Sequence, residues 1–285
     1  MAETTAHTTQ LAPGATLLVT NGTGRTGRTV AEAATAAGLH ARPAARSTEP
    51  RFDWQDQDTW EAALHGAAGA YLAYPSDIGA PDAAATIGAF ARRAVAAGVR
   101  RLVLLSARGE DLALPAERAL RESGADWTVV RASWFQQNFS EGPLLDGLRG
   151  GELVLPVGET KEPFIDVRDI ADVVVAAIRD PAYSGQIIEV SGPRLLSFRE
   201  AAAEITAATG QDIRYVELSP QEYTHALTGL GIERPEAEFV TELFATLLDG
   251  RNARLSDGVR RILGREPRDF TGFAREEAAA GTWKS

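Results

Sequence analysis

The chain mixes short runs in which nearly every residue is apolar with longer runs in which apolar residues recur every three or four positions. Residues 15–20, ATLLVT, have the unbroken apolar character of a strand buried on both faces. Residues 28–37 follow as a helix of small side chains that stops at Gly38. The same pattern predicts further strands over 39–45, 67–73, 101–106, 127–131 and 186–190, with helices over 59–64, 82–97 and 166–178. Strands alternating with helices predict an α/β protein with a parallel, doubly wound sheet. The rhythm loosens after Arg131, and from Ser197 onward the pattern is mostly helical. The expected organisation is a flexible tail over 1–13 and a nucleotide-type domain over 14–150. Over 151–285 the remaining sheet elements interleave with a smaller, mostly helical lobe that covers the cleft.

Between the first strand and the first helix stands Gly22-Thr23-Gly24-Arg25-Thr26-Gly27. Glycines at this spacing permit a tight turn, close approach of backbone to a pyrophosphate, and close packing of helix on sheet, while the helix N-terminus faces the phosphates. The expected architecture is therefore a Rossmann sheet. About 20 residues past such a turn an acidic side chain would take the ribose hydroxyls of NAD. Here the second strand ends in Ala44-Ala45-Arg46-Ser47, with no acid. A guanidinium matches phosphate geometry, so Arg46, with Ser47 and Arg25, suits the 2′-phosphate of NADP(H). The alternative is a solvated arginine at a strand end.

Composition narrows the classes. The 285 residues are 44% hydrophobic and 24% charged, enough for a large core. A net charge of -10 opposes a non-specific grip on nucleic acid or anionic lipid, so neither a nucleic-acid nor a membrane partner is expected. With no cysteine there is no thiolate chemistry, and any redox step must use a cofactor. The opening MAETTAHTTQLAPG lacks the basic and apolar regions of a signal peptide, and a cytoplasmic location is expected. The four histidines have no ligand spacing, and no metal site is expected.

With these pieces placed, the chain resembles the NmrA-like branch of the atypical short-chain dehydrogenase/reductases, which includes quinone, triphenylmethane-dye and ergot-alkaloid reductases. The likeness runs through Asn21–Gly27, Phe52-Asp53-Trp54, Tyr71–Pro75, Leu102–Ala107, Glu117, Val130–Asn138, Asp166–Ala171 and Gly264-Arg-Glu-Pro267. It implies that Asp53 and Trp54 lie by the adenine, Ala73, Tyr74 and Pro75 by the ribose, and Ser106 with Ala107 by the nicotinamide. It also implies that Trp134, Phe135 and Asn138 border the substrate cleft. Plainer readings stand beside these: a surface turn for Asp53 and Trp54, ordinary core for Trp134 and Phe135, and a helix cap for Asp166 and Asp169.

The departure from the better-known short-chain enzymes is the missing Tyr-x-x-x-Lys pair. The lysines are Lys161 and Lys284, preceded at that spacing by Val157 and Ala280. Ser106, Glu117, Tyr74 or a water are the remaining proton sources. The reading that follows is an NADPH-dependent reductase passing hydride to an electron-poor conjugated small molecule such as a quinone, enone or iminium, in a biosynthetic setting. Tyr223 is a further wall for a flat substrate, or a surface residue. Two alternatives remain open: an NADP(H)-binding redox sensor without turnover, and a non-redox enzyme, an epimerase or ring-opening enzyme, on the same fold. The expected assembly is a monomer or homodimer.

Overall fold

The structure, a computed structural model, describes residues 10–75, 77–142 and 144–284. In chain order the elements begin β1 (Thr16–Thr20), α1 (Arg25–Ala36), β2 (His40–Ala44), α2 (Trp60–Leu64), β3 (Gly69–Leu72), α3 (Ala83–Ala96), β4 (Arg101–Ala107), α4 (Leu114–Arg121) and β5 (Asp126–Ala132). They continue with α5 (Leu145–Arg149), β6 (Glu152–Leu155), β7 (Lys161–Glu162), α6 (Val167–Arg179), β8 (Gln186–Val190), β9 (Leu196–Ser197), α7 (Phe198–Thr209) and β10 (Arg214–Glu217). The chain closes with α8 (Pro220–Gly229), α9 (Arg234–Leu247), α10 (Gly258–Leu263) and α11 (Phe270–Ala280).

Two compact units emerge. The first holds the chain up to Ala132, Val167–Glu189 and Arg261–Gly264. Its sheet has the order β2-β1-β3-β4-β5-β8, and β1 pairs in parallel with both β2 and β3, as β4 does with β3 and β5. Side chains alternate across it: Leu18, Ala70, Leu72, Leu102, Leu104 and Val129 join a core with residues of α3 and α4. Their neighbours Leu17, Val19, Tyr71, Val103 and Val130 are equally buried and point to the opposite face, where α1 and α6 pack together. A sheet covered on both sides explains why its strands read as unbroken apolar runs. β2 is an edge strand, which tolerates the missing N–H of Pro43.

The division expected near residue 150 needs correction. The chain leaves the sheet-bearing unit at Ala132, where β5 ends, and returns with α6. Helix α1 also begins three residues before the expected position 28, directly after Gly24, because the glycines of the turn are tolerated within its first turn. Of the expected tail, residues 1–9 lie outside the described residues, while the amide of Leu11 already donates to the carbonyl of Arg179.

The second unit holds Ser133–Asp166, Val190–Arg260 and Arg265–Ser285. Its core is aromatic: Phe139, Phe164, Phe198 and Phe270 meet mostly edge to face with centroids 5.1–5.8 Å apart, and Trp283 Nε1 donates to the Phe139 carbonyl. Two small two-stranded sheets, β10 with β6 and β7 with β9, flank it. Arg194 ties α7 to the start of α11 by donating to both oxygens of Asp269 and pairing with Glu204. Asp269 in turn caps α11 by accepting the Thr271 amide.

Arg194 beside Asp269 pulls this carboxyl down to about 2. A depressed folded-state value means that the stabilisation is present above the unfolded value near 4 and is lost as pH falls through 2. We expect Asp269→Asn to lower the thermal midpoint at pH 7, by an amount corresponding to about 1 kcal/mol after screening of this partly exposed pair. The deficit should shrink toward pH 2 when parent and variant are compared by calorimetry; a deficit constant with pH would remove the ion pair as its cause.

Candidate functional site

The turn after β1 is built by contacts that exclude side chains. Asn21 adopts a positive φ of 50°, and its carbonyl presses on α1 so closely that a Cβ on Gly27 would lie 2.1 Å from it. A Cβ on Gly22 would meet Pro43 Cα at 2.6 Å, and one on Gly24 would meet the Asn21 amide group at 2.8 Å. Within the protein, the crowding at Gly24 comes from Asn21. No side chain caps α1 and its first turn has no acid, so the N-terminal amides are left to face an anion.

Beyond the carboxyl ends of β1, β2 and β3, where the strand order reverses, lies a cavity of about 540 Å³. Of the residues singled out from sequence, Thr23, Arg46, Ser47, Asp53, Trp54, Tyr74 and Pro75 line it. Arg46 forms no ion pair or hydrogen bond among the described residues. Asp53 accepts from Arg51 and from the Gln55 amide. Trp54 packs at 5.0–5.4 Å from Phe52, Tyr74 and Phe90, and its buried Nε1 lacks a hydrogen-bond partner among the described residues. It is therefore not a surface tryptophan. A glycine cradle, an open helix end, an uncommitted guanidinium and an orphaned indole N–H fit a phosphorylated nucleotide with an aromatic base.

Arg25, Thr26, Ala73, Ser106 and Ala107 do not line this cavity. Thr26 is buried beside the Tyr71 phenol, which burial pushes well above its ordinary value. The Ala73 amide donates to Thr20 Oγ1 at 2.9 Å. Ser106 and Ala107 end β4, one strand further along the sheet. Among the residues missed from sequence, Asn21, Ala44, Ala45, Phe52, Gln55, Ala80 and Asp82 complete the lining. Asn21 had a signal, since it precedes the glycine turn; Gln55 and Asp82 had none, because their roles depend on contacts across 19 and 27 residues.

The proton-donor candidates are each occupied. Tyr74 donates to Asp82 Oδ2 at 2.8 Å and accepts from Gln55 at 3.0 Å. Burial first, then Asp82, raises its pKa, the opposite of what an acid catalyst near neutral pH needs. Tyr74 is thus a structural pin across the cavity rim. Glu117, buried at 2% exposure, accepts from Ser106 Oγ at 2.6 Å on Oε1. Arg131 grips both oxygens of that carboxylate, at 2.8 and 2.6 Å. Both Glu117 oxygens are thus engaged by Arg131 and Ser106. Arg131 was missed, although its signal was available: it ends a predicted strand next to the one that ends in Ser106, and the register pairs the two.

A different group holds a proton. Glu110, in the loop after β4, is nearly buried, and burial followed by the neighbouring Asp77 carboxyl pushes it up to about 8. Both carboxyls crowd Gly79, with Glu110 Oε1 2.4 Å from where its Cβ would be.

In the second unit Trp134 stacks against Phe244 at 5.5 Å, and Tyr223 meets the same ring edge-on at 5.8 Å. Tyr223 is buried, not a surface residue. Phe135 pairs with Ile165 in a short bridge, and the Asn138 amide donates to the Phe135 carbonyl. Trp134 and Tyr223 thus share one aromatic group. Among the described residues no cluster of three or more potential metal ligands occurs, and no helix is long and apolar enough to cross a membrane.

The fold is that of a nucleotide-binding Rossmann protein, with a cavity at the β2-β1-β3 reversal. The NmrA-like family matches residues 13–253, and the chain belongs to that family. Prestalk A differentiation protein A of Dictyostelium discoideum is 30% identical over 233 residues, 81% of this chain and 76% of that protein. NAD(P)H azoreductase of Xenophilus azovorans is 33% identical over 238 residues, 80% of this chain and 82% of that one. Triphenylmethane reductase of Citrobacter sp., solved in complex with NADP(H), superposes with a TM-score of 0.77 at 16% identity, over 93% of this chain and 99% of its own.

Two outcomes test the site. Gly27→Ala should lower the thermal midpoint and abolish nucleotide binding, since its Cβ drives α1 away from the turn. Gly229→Ala, with open space around it in α8, is the control and should be neutral or stabilising. For Glu110 the folded value is raised, so its stabilisation is complete below the unfolded value near 4.5 and is lost as pH climbs through 8. Denaturant titrations should show parent stability falling by on the order of 1–3 kcal/mol between pH 5 and 9, and a flatter profile in Glu110→Gln. Parallel profiles would mean that the carboxyl pair does not share a proton.

Proposed function

We infer that this chain is an NAD(P)H-dependent oxidoreductase and, more narrowly, that it uses NADPH to reduce an electron-poor, conjugated small molecule. The observation that carries the cofactor preference is Arg46. It stands at the end of β2 on the cavity wall, with Ser47 beside it and no paired acid among the described residues. A 2′-phosphate would supply the missing counter-charge, whereas the ribose hydroxyl of NAD would leave the guanidinium unsatisfied.

The residues would divide the work as follows. The amides at the start of α1 and the glycine turn hold the pyrophosphate, Trp54 and Asp53 flank the base, and Tyr74, pinned by Asp82 and Gln55, walls the ribose. The bound dinucleotide supplies the hydride. Ser106 and Ala107, the last residues of β4, would face the reacting end. In the second unit, Trp134, Phe135, Asn138 and Tyr223 are the residues we assign to the acceptor. The names of two relatives, an azoreductase and a triphenylmethane reductase, support conjugated acceptors. Such molecules delocalise incoming charge, so orientation and exclusion of water matter more than a strong general acid. This agrees with Tyr74 and Glu117 both being committed elsewhere.

Calorimetry should find NADPH bound at least about tenfold more tightly than NADH, roughly 1.4 kcal/mol, and Arg46→Ala should erase that preference while leaving NADH affinity unchanged. Stopped-flow assays with quinones, azo compounds, enones and iminium ions should show NADPH oxidation by at least one class. Tight NADPH binding without oxidation by any of them would favour a sensor over an enzyme.

A further inference from the structure

Ser106, Glu117 and Arg131 form a chain whose direction is fixed by chemistry. The β4–β5 register sets Ser106 beside Arg131, and Glu117 reaches both from α4. Arg131 donates through Nε and Nη2, and both bonds land on Glu117. A guanidinium has only donors and a carboxylate only acceptors, so the proton in the 2.6 Å contact between Ser106 and Glu117 belongs to the serine. A hydroxyl has one proton and two lone pairs. With the proton directed to Glu117, the lone pairs are what Ser106 offers to anything bound beyond the end of β4.

We propose that Arg131 is a positioning residue that holds Glu117 as a fixed carboxylate, commits the Ser106 proton inward, and so makes this hydroxyl a hydrogen-bond acceptor, not a proton donor, toward the bound reactants. The proposal rests on the reductase reading, which brings the reacting end of the dinucleotide to Ser106. Its ligand chemistry is an N–H donor: either the carboxamide of the nicotinamide or an N–H on the substrate. The proton that completes reduction of a neutral acceptor then comes from water.

The surroundings hold this group of side chains in place. Glu117 is 2% exposed and Ser106 4%. Arg131 also feels Glu189 of β8, and the bond to Glu117 holds its guanidinium above the ordinary value. Arg118 and Arg121 of α4 and Glu122 just after it are also charged, and Arg92 Nη1 of α3 lies near Gly88. Among these the bidentate grip of Arg131 is the contact that fixes both carboxylate oxygens.

The test compares binding of NADPH with that of the analogue whose carboxamide is replaced by an acetyl group, which has no N–H. If the donor is the carboxamide, the parent should prefer NADPH by about five- to twentyfold, and Ser106→Ala should lose that preference. If the donor is on the substrate, both nucleotides bind alike, and Ser106→Ala raises KM for acceptors bearing N–H while sparing quinones. In either case Arg131→Met should copy the Ser106→Ala pattern, and Arg131→Lys should restore part of it. A merely structural Arg131 would lower the thermal midpoint and weaken both nucleotides equally. Should Arg131→Met not fold, Glu117→Gln takes its place, because an amide has a single acceptor oxygen for Arg131 and the serine together. A solvent isotope effect on quinone reduction that disappears in Ser106→Ala would overturn the proposal by making Ser106 the proton donor. So would a Ser106→Ala variant that changes none of these quantities. Failure of the parent to bind either nucleotide would instead sink the reductase reading itself.

Discussion

Among the glycines of the turn, the tightest fit is at Gly27, between two backbones. Helix α1 starts directly behind the Asn21 carbonyl, with no room for even one methyl group on Gly27. That approach fixes where the helix points, hence where its unpaired amides open, hence where a phosphate can rest. The left-handed Asn21 is the other half of the same constraint, since it turns the chain sharply enough for the helix to begin at Arg25. Gly22 adds a third contact by letting the turn lie against Pro43 on β2, which closes the wall that carries Arg46. The cavity is thus a consequence of three missing side chains.

Much of this was legible because it depends on neighbours in sequence. Apolar runs such as 15–20 identify strands buried on both faces, and the glycine spacing between strand and helix marks the phosphate turn. Arg46 could be placed because it ends the strand that follows. What stayed hidden depends on contacts between distant segments. Nothing near Tyr74 announces that Asp82 and Gln55 will take its hydroxyl, and nothing near Glu117 announces a guanidinium from β5. Lists of candidate acids drawn from sequence treat each side chain as available, whereas folding commits most polar atoms to one another. The same holds for Tyr223, whose helix gave no hint that Phe244 would bury it. The change of unit at Ala132 was also illegible, because it is set by where β5 stops pairing, not by composition.

These commitments change the chemistry open to the site. A short-chain enzyme with a tyrosine–lysine pair lowers the acidity barrier for an alkoxide. Here the tyrosine on the cavity rim is pushed the other way, and the buried carboxylate beside Ser106 is neutralised by Arg131. Glu110, in the loop after β4, has its pKa raised by burial and by its neighbour Asp77. A site so arranged is poorly suited to acceptors that need strong protonation in the transition state. It suits those that accept hydride first and take their proton later.

Electrostatics completes the case for the nucleotide. The protein carries a formal charge of -10, and two carboxylates, Asp53 and Asp82, stand on the cavity wall. By charge count alone an anionic ligand should be repelled. The wall is different at short range: Asp53 is paired with Arg51, and Asp82 accepts hydrogen bonds from Tyr74 and Gln55 on Oδ2, which pull its pKa down. Both negative charges are therefore compensated or directed at neighbours. The cation on the cavity wall, Arg46, has no partner among the described residues. At contact distance an uncommitted guanidinium outweighs a net charge spread over the surface and screened by salt. On the proposed reading, selectivity for a phosphorylated ribose would follow from which charges the fold has already used.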